Sequence, residues 1–342
     1  QRKNTLGLGA KVTIYQGGKI QYLEQMPTRG YQSSVSPLLH FGLGQTTEID
    51  SLEIIWLGGK SQKVMKPKVN QQLKLSESEA ELGKFVPASV QPAFTQMVSP
   101  IPYKSEVERT NDFKRQPLLV NPISFAGPCM IKGDVNGDGL EDVFVGSNAG
   151  EVGKIFIQRK NGSFQEKKTE AFLADKESQD TNAILLDVDG DGDLDLFVGS
   201  GGYARFLPED PLLQSRVYLN DGKGNFTKKA DALPKMLTST GCAVSADING
   251  DGKMDLFVGG RVIPGRYPEA PRSYVLINDG KGNFSDQTKS IAAELEHLGM
   301  VTDAVWVDLN GDQKQDLIVV GEWMPISVWI NQSGKLIDKT SD

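Results

Sequence analysis

Apolar and polar residues alternate with a period of two over much of the chain, and this pattern predicts strands. Near the N-terminus five segments carry it, AKVTIYQ (10–16), KIQYLEQ (19–25), SVSPLLHFGLG (34–44), SLEIIWLG (51–58) and VNQQLKLS (69–76), separated by glycine turns. They predict a small all-β domain over residues 1–82. From 83 to 124 the alternation gives way to a stretch rich in proline and polar residues. That stretch reads as an extended linker with the capacity to lend one strand to its neighbour. From residue 125 onward short apolar runs return, DVFVGS from Asp142, DLFVGS from Asp195, DLFVGG from Asp255 and DLIVVG from Asp316.

These runs belong to an internal repeat. Four segments align, KGDVNGDGLEDVFVGS from Lys132, LDVDGDGDLDLFVGSG from Leu186, ADINGDGKMDLFVGGR from Ala246 and VDLNGDQKQDLIVVGE from Val307, with leading aspartates 53, 60 and 61 residues apart. Each is followed by a strand, an Asn/Asp-Gly turn and a strand, as in VYLNDGKGNF from Val217. One repeat thus supplies four strands in about 55 to 60 residues, the content of one β-propeller blade. A lone sheet of this kind cannot bury both faces, so neighbours must stack. A β-sandwich, the competing architecture, gives no reason for one acidic loop to recur at one interval. The expected fold is all-β, with four recognisable four-stranded propeller blades in 125–342 behind the small β domain.

The acidic loop carries the chemistry. In each nine-residue copy, such as DVDGDGDLD from Asp187, oxygen-bearing side chains fall at positions 1, 3, 5 and 9, with glycine at 4 and, in three copies, at 6. Carboxylates packed so closely repel one another unless a cation gathers them. In a tightly curled loop alternate side chains turn inward, and the position-7 carbonyl adds a further oxygen. A hard cation with six to eight oxygen ligands in irregular geometry fits, which favours calcium over magnesium. No His or Cys is in the set, so zinc and copper fit poorly. An EF-hand is excluded, because it places a glutamate at position 12 between helices, whereas position 12 here is Val145, Val198, Val258 and Val319 inside apolar strands. Asp/Asn/Gly clusters also make ordinary turns, but four copies in phase favour metal. Gln313 stands where the other copies have Gly139, Gly192 and Gly252. A positive φ at that position would strain glutamine by about 1 kcal/mol and leave the fourth site the weakest.

Charge agrees with this. The net charge is −7, and 14 of the 44 acidic residues are aspartates of the four loops, so up to four Ca²⁺ ions would neutralise the chain. An acidic chain is a poor partner for nucleic acid. No run approaches the 18 apolar residues of a membrane span. The two cysteines, Cys129 and Cys242, occupy equivalent places in two repeats and read as small buried apolar side chains rather than a disulfide or a metal pair.

The four segments resemble the FG-GAP/VCBS repeat, the calcium-binding blade motif of integrin α-subunit propellers and of many bacterial surface proteins. The resemblance implies calcium ligands at Asp134, Asn136, Asp138, the Leu140 carbonyl and Asp142, and at Asp187, Asp189, Asp191, the Asp193 carbonyl and Asp195. In the last two repeats it implies Asp247, Asn249, Asp251, the Lys253 carbonyl and Asp255, and Asp308, Asn310, Asp312, the Lys314 carbonyl and Asp316. The N-terminal segments resemble the ASPIC/UnbV domain, which accompanies such repeats in bacterial secreted proteins. Propellers of this family commonly have seven blades, so four visible repeats imply a fragment, blades lacking the motif, or closure by another chain, and an open series would favour association.

The resulting expectation is a non-enzymatic, calcium-stabilised protein of the extracellular space, cell surface or periplasm, binding a protein or polysaccharide at its outer loops. The longest connections, 200–216 and 259–273, mix Tyr and Arg with Pro and are the interface candidates. One rival is a polysaccharide hydrolase or lyase, for which Glu209, Asp210, Glu269 and Glu322 are the uncommitted acids and His40 and His297 the sole histidines. The other is a rigid spacer in a larger surface protein.

Overall fold

The computed structural model describes residues 4–30, 32–82, 92–105, 110–125 and 127–341. The chain divides into two compact units, Gln1–Met97 and Val98–Asp342.

The first unit is one antiparallel sheet built from β1 (Lys11–Gln16), β2 (Lys19–Glu24), β3 (Ser51–Ile55), β4 (Lys60–Met65) and β5 (Glu81–Leu82), in the order β2-β1-β3-β4-β5. The inward positions of β1 and β3, Val12, Ile14, Leu52 and Ile54, form its core with Ala10 and Ile49. Two of the five expected strands are absent. Segment 34–44 makes one isolated bridge, Thr28 to Ser34, and otherwise runs irregularly, because Pro37 has no N–H to donate to a ladder. Segment 69–76 is broken at Asn70, whose φ is 55°. Their apolar residues Leu39, Phe41, Leu43, Val69 and Leu75 still pack on the core from coil. The strand that replaces them, β4, is a half-exposed KSQKVM whose polar composition hid it.

The second unit holds four four-stranded antiparallel sheets. The first contains β6 (Met130–Gly133), β7 (Asp142–Val145), β8 (Lys154–Gln158) and β9 (Phe164–Lys167), and the second β10 (Gln179–Leu186), β11 (Asp195–Gly201), β12 (Arg216–Asn220) and β13 (Phe226–Lys228). The third contains β14 (Ser239–Ala246), β15 (Asp255–Val262), β16 (Tyr274–Asn278) and β17 (Phe284–Asp286), and the fourth β18 (Met300–Val307), β19 (Asp316–Glu322), β20 (Ser327–Asn331) and β21 (Leu336–Asp338). Each sheet is an up-and-down meander in chain order.

The sheets stack. Strand β6 packs on β10, β10 on β14, and β14 on β18. Between the first and second sheets Phe144 and Ile155 meet Leu196 and Val198. Between the second and third, Phe197 and Val217 meet Leu256 and Val258. Phe257 and Val275 meet Leu317 and Val319 between the third and fourth. Among the described residues the fourth sheet does not pack back on the first, so the series is open.

The described part of 83–124 contains no strand and a single 3₁₀ turn at Asp112–Lys114. It packs on the sheets through side chains. Ile101 and Tyr103 lie against Val143, Val145 and Phe156, and Leu119 lies among Tyr203, Val262 and Met300. Cys129 and Cys242 are free thiols, half-buried and buried. No helix among the described residues is long and apolar enough to cross a membrane.

Candidate metal centre

Every acidic loop joins the first two strands of its sheet, and its position-9 aspartate opens the second strand. That aspartate is almost wholly buried in all four copies, Asp142, Asp195, Asp255 and Asp316 being at most 1% exposed. Both of its oxygens accept backbone N–H bonds. One donor is the residue at position 2, Val135, Val188, Ile248 or Leu309, at 2.9 to 3.2 Å. The other is the last residue of the third strand, Gln158, Asn220, Asn278 or Asn331, at 2.7 to 2.8 Å. A buried carboxylate held this way fixes the root of the loop.

The position-1 aspartate folds the rest of the turn around itself. Oδ1 of Asp134, Asp187, Asp247 and Asp308 accepts from the glycine at position 4, at 2.7 to 2.8 Å. Oδ2 accepts from position 6, at 2.8 to 3.0 Å. The position-6 residue sits at positive φ in every copy, 81° at Gly139, 92° at Gly192, 82° at Gly252 and 68° at Gln313. Gln313 therefore adopts the glycine conformation at a steric cost, and its N–H still reaches Asp308. The fourth loop keeps the shape of the others.

Position 5 completes the turn. Asp138, Asp191, Asp251 and Asp312 accept the N–H of position 7 (Leu140, Asp193, Lys253, Lys314) at 2.9 to 3.1 Å, and in the third loop the second Asp251 oxygen also accepts from Asn249 Nδ2 at 3.2 Å. At position 3, Asn136, Asn249 and Asn310 accept the position-5 N–H at 2.9 Å through Oδ1. No donor among the described residues reaches the position-7 carbonyls of Leu140, Asp193, Lys253 and Lys314. In the third and fourth loops the lysine ammonium comes back to 3.7 Å from Asp251 and 3.6 Å from Asp312.

The second loop is the most crowded. Carboxylate oxygens of Asp187, Asp189 and Asp195 lie within 4.8 Å of one another. Asp189 Oδ1 and Asp193 Oδ1 are buried without a hydrogen-bond partner. Burial and then the Asp191 charge push the Asp193 carboxyl up to about 6. Burial pushes Asp195 up to about 6 against the two N–H bonds that oppose it, and Asp255 in the third loop does the same. Burial of carboxylate oxygens disfavours their charged form unless a cation or donors face them. The donors of this loop are oxygen only, a set that fits a hard divalent cation such as calcium. The Asp193 carboxylate is outside this cluster and lies against Gly222 of the hairpin, so its carbonyl stays the candidate ligand at position 7.

A second set of residues, invisible to motif reading, ties each loop to the next sheet. The amide of Asn220 donates to Val135 O of the preceding loop and to Leu194 O of its own, at 2.8 and 3.1 Å. Asn278 bridges Val188 O and Met254 O at 3.0 and 3.3 Å. Asn331 bridges Ile248 O and Gln315 O at 2.9 and 3.3 Å. Their recurrence at the end of the third strand was the available signal.

The other candidate residues do not converge. Asp210 caps a 3₁₀ turn through Leu212 N at 3.0 Å. Glu269 meets Arg266 at 3.7 Å and Glu322 meets Arg261 at 2.6 Å. His40 and His297 belong to different units. Of the loop tyrosines, Tyr203 is fully buried.

Two family models match. Residues 1–82 match ASPIC and UnbV, and residues 134–198 and 187–258 match the FG-GAP-like repeat. No curated protein matches the chain. Among solved structures, the V. cholerae biofilm matrix protein Bap1 is similar at 18% identity with a TM-score of 0.32, over 61% of this chain and 30% of that one. The chain thus spans less than a third of the length of that protein. The chain carries an ASPIC and UnbV domain at its N-terminus, followed by FG-GAP-like repeats.

Proposed function

We propose that the second unit is part of a β-propeller stabilised by calcium at its four acidic loops, and that the protein works outside the cytoplasm as a non-enzymatic binding or adhesion module. The observation that carries the calcium reading is the second loop, where the oxygens of Asp187, Asp189 and Asp195 cluster and one Asp189 oxygen is buried with no hydrogen-bond partner among the described residues. The ligands would be the side chains at positions 1, 3, 5 and 9 and the carbonyl at position 7. Stacked four-stranded meanders support the blade reading. A binding role rather than catalysis is our reading because three of the acids left over from the loops already have local partners, Asp210 in a turn cap, Glu269 with Arg266 and Glu322 with Arg261.

Thermal unfolding in millimolar CaCl₂ and in EGTA tests this. A site at a hundred times its Kd adds about 2.7 kcal/mol of stability, so several filled loops raise Tm by many degrees. Identical melting in both buffers would refute the calcium reading. Titration calorimetry then counts the sites, with the fourth loop expected to bind most weakly.

A further inference from the structure

The repeat exposes one departure that the acidic loops do not explain. Seven residues beyond the closing aspartate, the chain reads Ala149, Gly202, Val262 and Trp323 in the four repeats. Val262 is buried, whereas Trp323 is 66% exposed with φ at 60°, a region that bulky side chains seldom occupy. The scaffold has no need of an indole here, since three repeats manage with a small or aliphatic residue. Nor is the ring loose. Its Nε1 donates to Tyr267 Oη at 3.0 Å, and the two rings meet edge to face with centroids 6.4 Å apart. Tyr267 is fixed in turn, its backbone N–H donating to Gln116 Oε1 and its carbonyl accepting from Gln116 Nε2, both at 3.0 Å. Next to Trp323, Glu322 Oε1 accepts from Arg261 Nη2 at 2.6 Å. Nη1 of the same guanidinium is buried with no hydrogen-bond partner among the described residues.

We propose that Trp323, Tyr267, Arg261 and Glu322 form a platform for a neutral polysaccharide chain. This rests on the reading of the unit as a binding module and names its ligand. An aromatic ring held in place before binding offers the C–H face of a pyranose a stack at little entropic cost. The Arg–Glu pair that adjoins it in the chain holds its donors and acceptors in a fixed fork, which suits sugar hydroxyls, with the 40% exposed Glu322 carboxylate as the accessible partner. The Glu322 carboxylate, 40% exposed, disfavours a polyanion at this spot. The platform is open rather than enclosed, as a polymer segment requires.

The test is an array of neutral oligosaccharides probed with calcium-loaded protein, followed by calorimetric titration of the strongest binder. Trp323→Ala is expected to weaken binding about tenfold or more, and Trp323→Phe to restore most of it, with no change in Tm for either. The proposal is overturned if no neutral oligosaccharide binds, if Trp323→Ala binds like the parent, or if an anionic oligosaccharide binds better than its neutral counterpart. Melting with and without EGTA keeps the two readings apart. A calcium-dependent Tm without saccharide binding sinks only the platform, and saccharide binding by a protein indifferent to EGTA sinks only the calcium sites.

Discussion

Asn278 does three jobs at once. Its N–H holds Asp255, and its amide caps Val188 O in the preceding loop and Met254 O in its own. Asn278→Ala keeps the first bond and abandons two buried carbonyls. The expected loss is about 1–3 kcal/mol, a Tm drop of several degrees, whereas Lys281→Ala on the exposed hairpin should stay within about 0.5 kcal/mol. Thermal unfolding of the two variants side by side decides whether the bridge matters. In the sequence this asparagine reads as half of an Asn/Asp-Gly turn, because the same residue type serves turns and buried amide bridges. Asn278 does both, its Oδ1 accepting from the hairpin's Gly280 N–H at 2.9 Å, and its burial, 2% exposed, is what marks the bridge. The cysteines were easier to read, since their places before the acidic loops put Cys242 on β14 and Cys129 just ahead of β6. Burial first, and then the Asp180 charge at Cys129 and the Asp303 charge at Cys242, push both thiols up to about 12. At pH 8 the thiolate fraction is then roughly a thousandth of that of an ordinary cysteine, so iodoacetamide should label the folded protein slowly and the urea-unfolded protein fast. Fast labelling of either thiol in the folded protein at pH 8 would contradict this burial.

Within the loop, two kinds of aspartate are expected to differ in how far their contribution depends on calcium. Position 9 holds two backbone N–H bonds whatever else it ligates. Asp255→Asn sets an amide NH₂ against the N–H of Ile248 or Asn278 and should cost about 2 kcal/mol or more in both calcium and EGTA. Position 3 is different. Asp189 is pushed upward by burial and then by the Asp191 charge, and one of its oxygens has no partner. Asp189→Asn should leave the protein in EGTA as stable or slightly more so, and should lower the melting temperature in calcium. A fall of equal size in both buffers would mean that the loop is an ordinary turn. The substitution is mild in shape, because Asn136, Asn249 and Asn310 already stand at that position. This division was half legible. The spacing identifies the oxygen set, but it treats positions 1, 3, 5 and 9 as equals, since which of them is buried depends on strands far away in the chain. The small sheet shows the same limit. Alternation predicted β1, β2 and β3, but Pro37 and Asn70 stop two apolar segments from pairing, and polar β4 joins by backbone pairing with β3 and β5.

At the scale of the molecule, burial is handed from each repeat to the next. The position-2 residue is 2% exposed at Val135, 1% at Val188 and 2% at Ile248, yet 46% at Leu309. All four sit in the same loop geometry, with the same N–H bond to the position-9 aspartate. Their own loop therefore does not bury them. The following sheet does, through its asparagine bridge and hairpin, and among the described residues nothing follows the fourth sheet. Val305 on β18 is 51% exposed for the same reason, and the open face is apolar. Ile248→Asp is then expected to cost more than about 3 kcal/mol, because a charge enters the contact between two sheets. Leu309→Asp, the same change one repeat later, should cost less than about 0.5 kcal/mol. Equal losses would show that the loop buries its own position 2 and that the handing-on of burial is wrong. Sedimentation of the parent and of Leu309→Asp at rising concentration completes the argument. An apolar sheet face left open should drive self-association of the parent, and a carboxylate at Leu309 should suppress it without unfolding the chain.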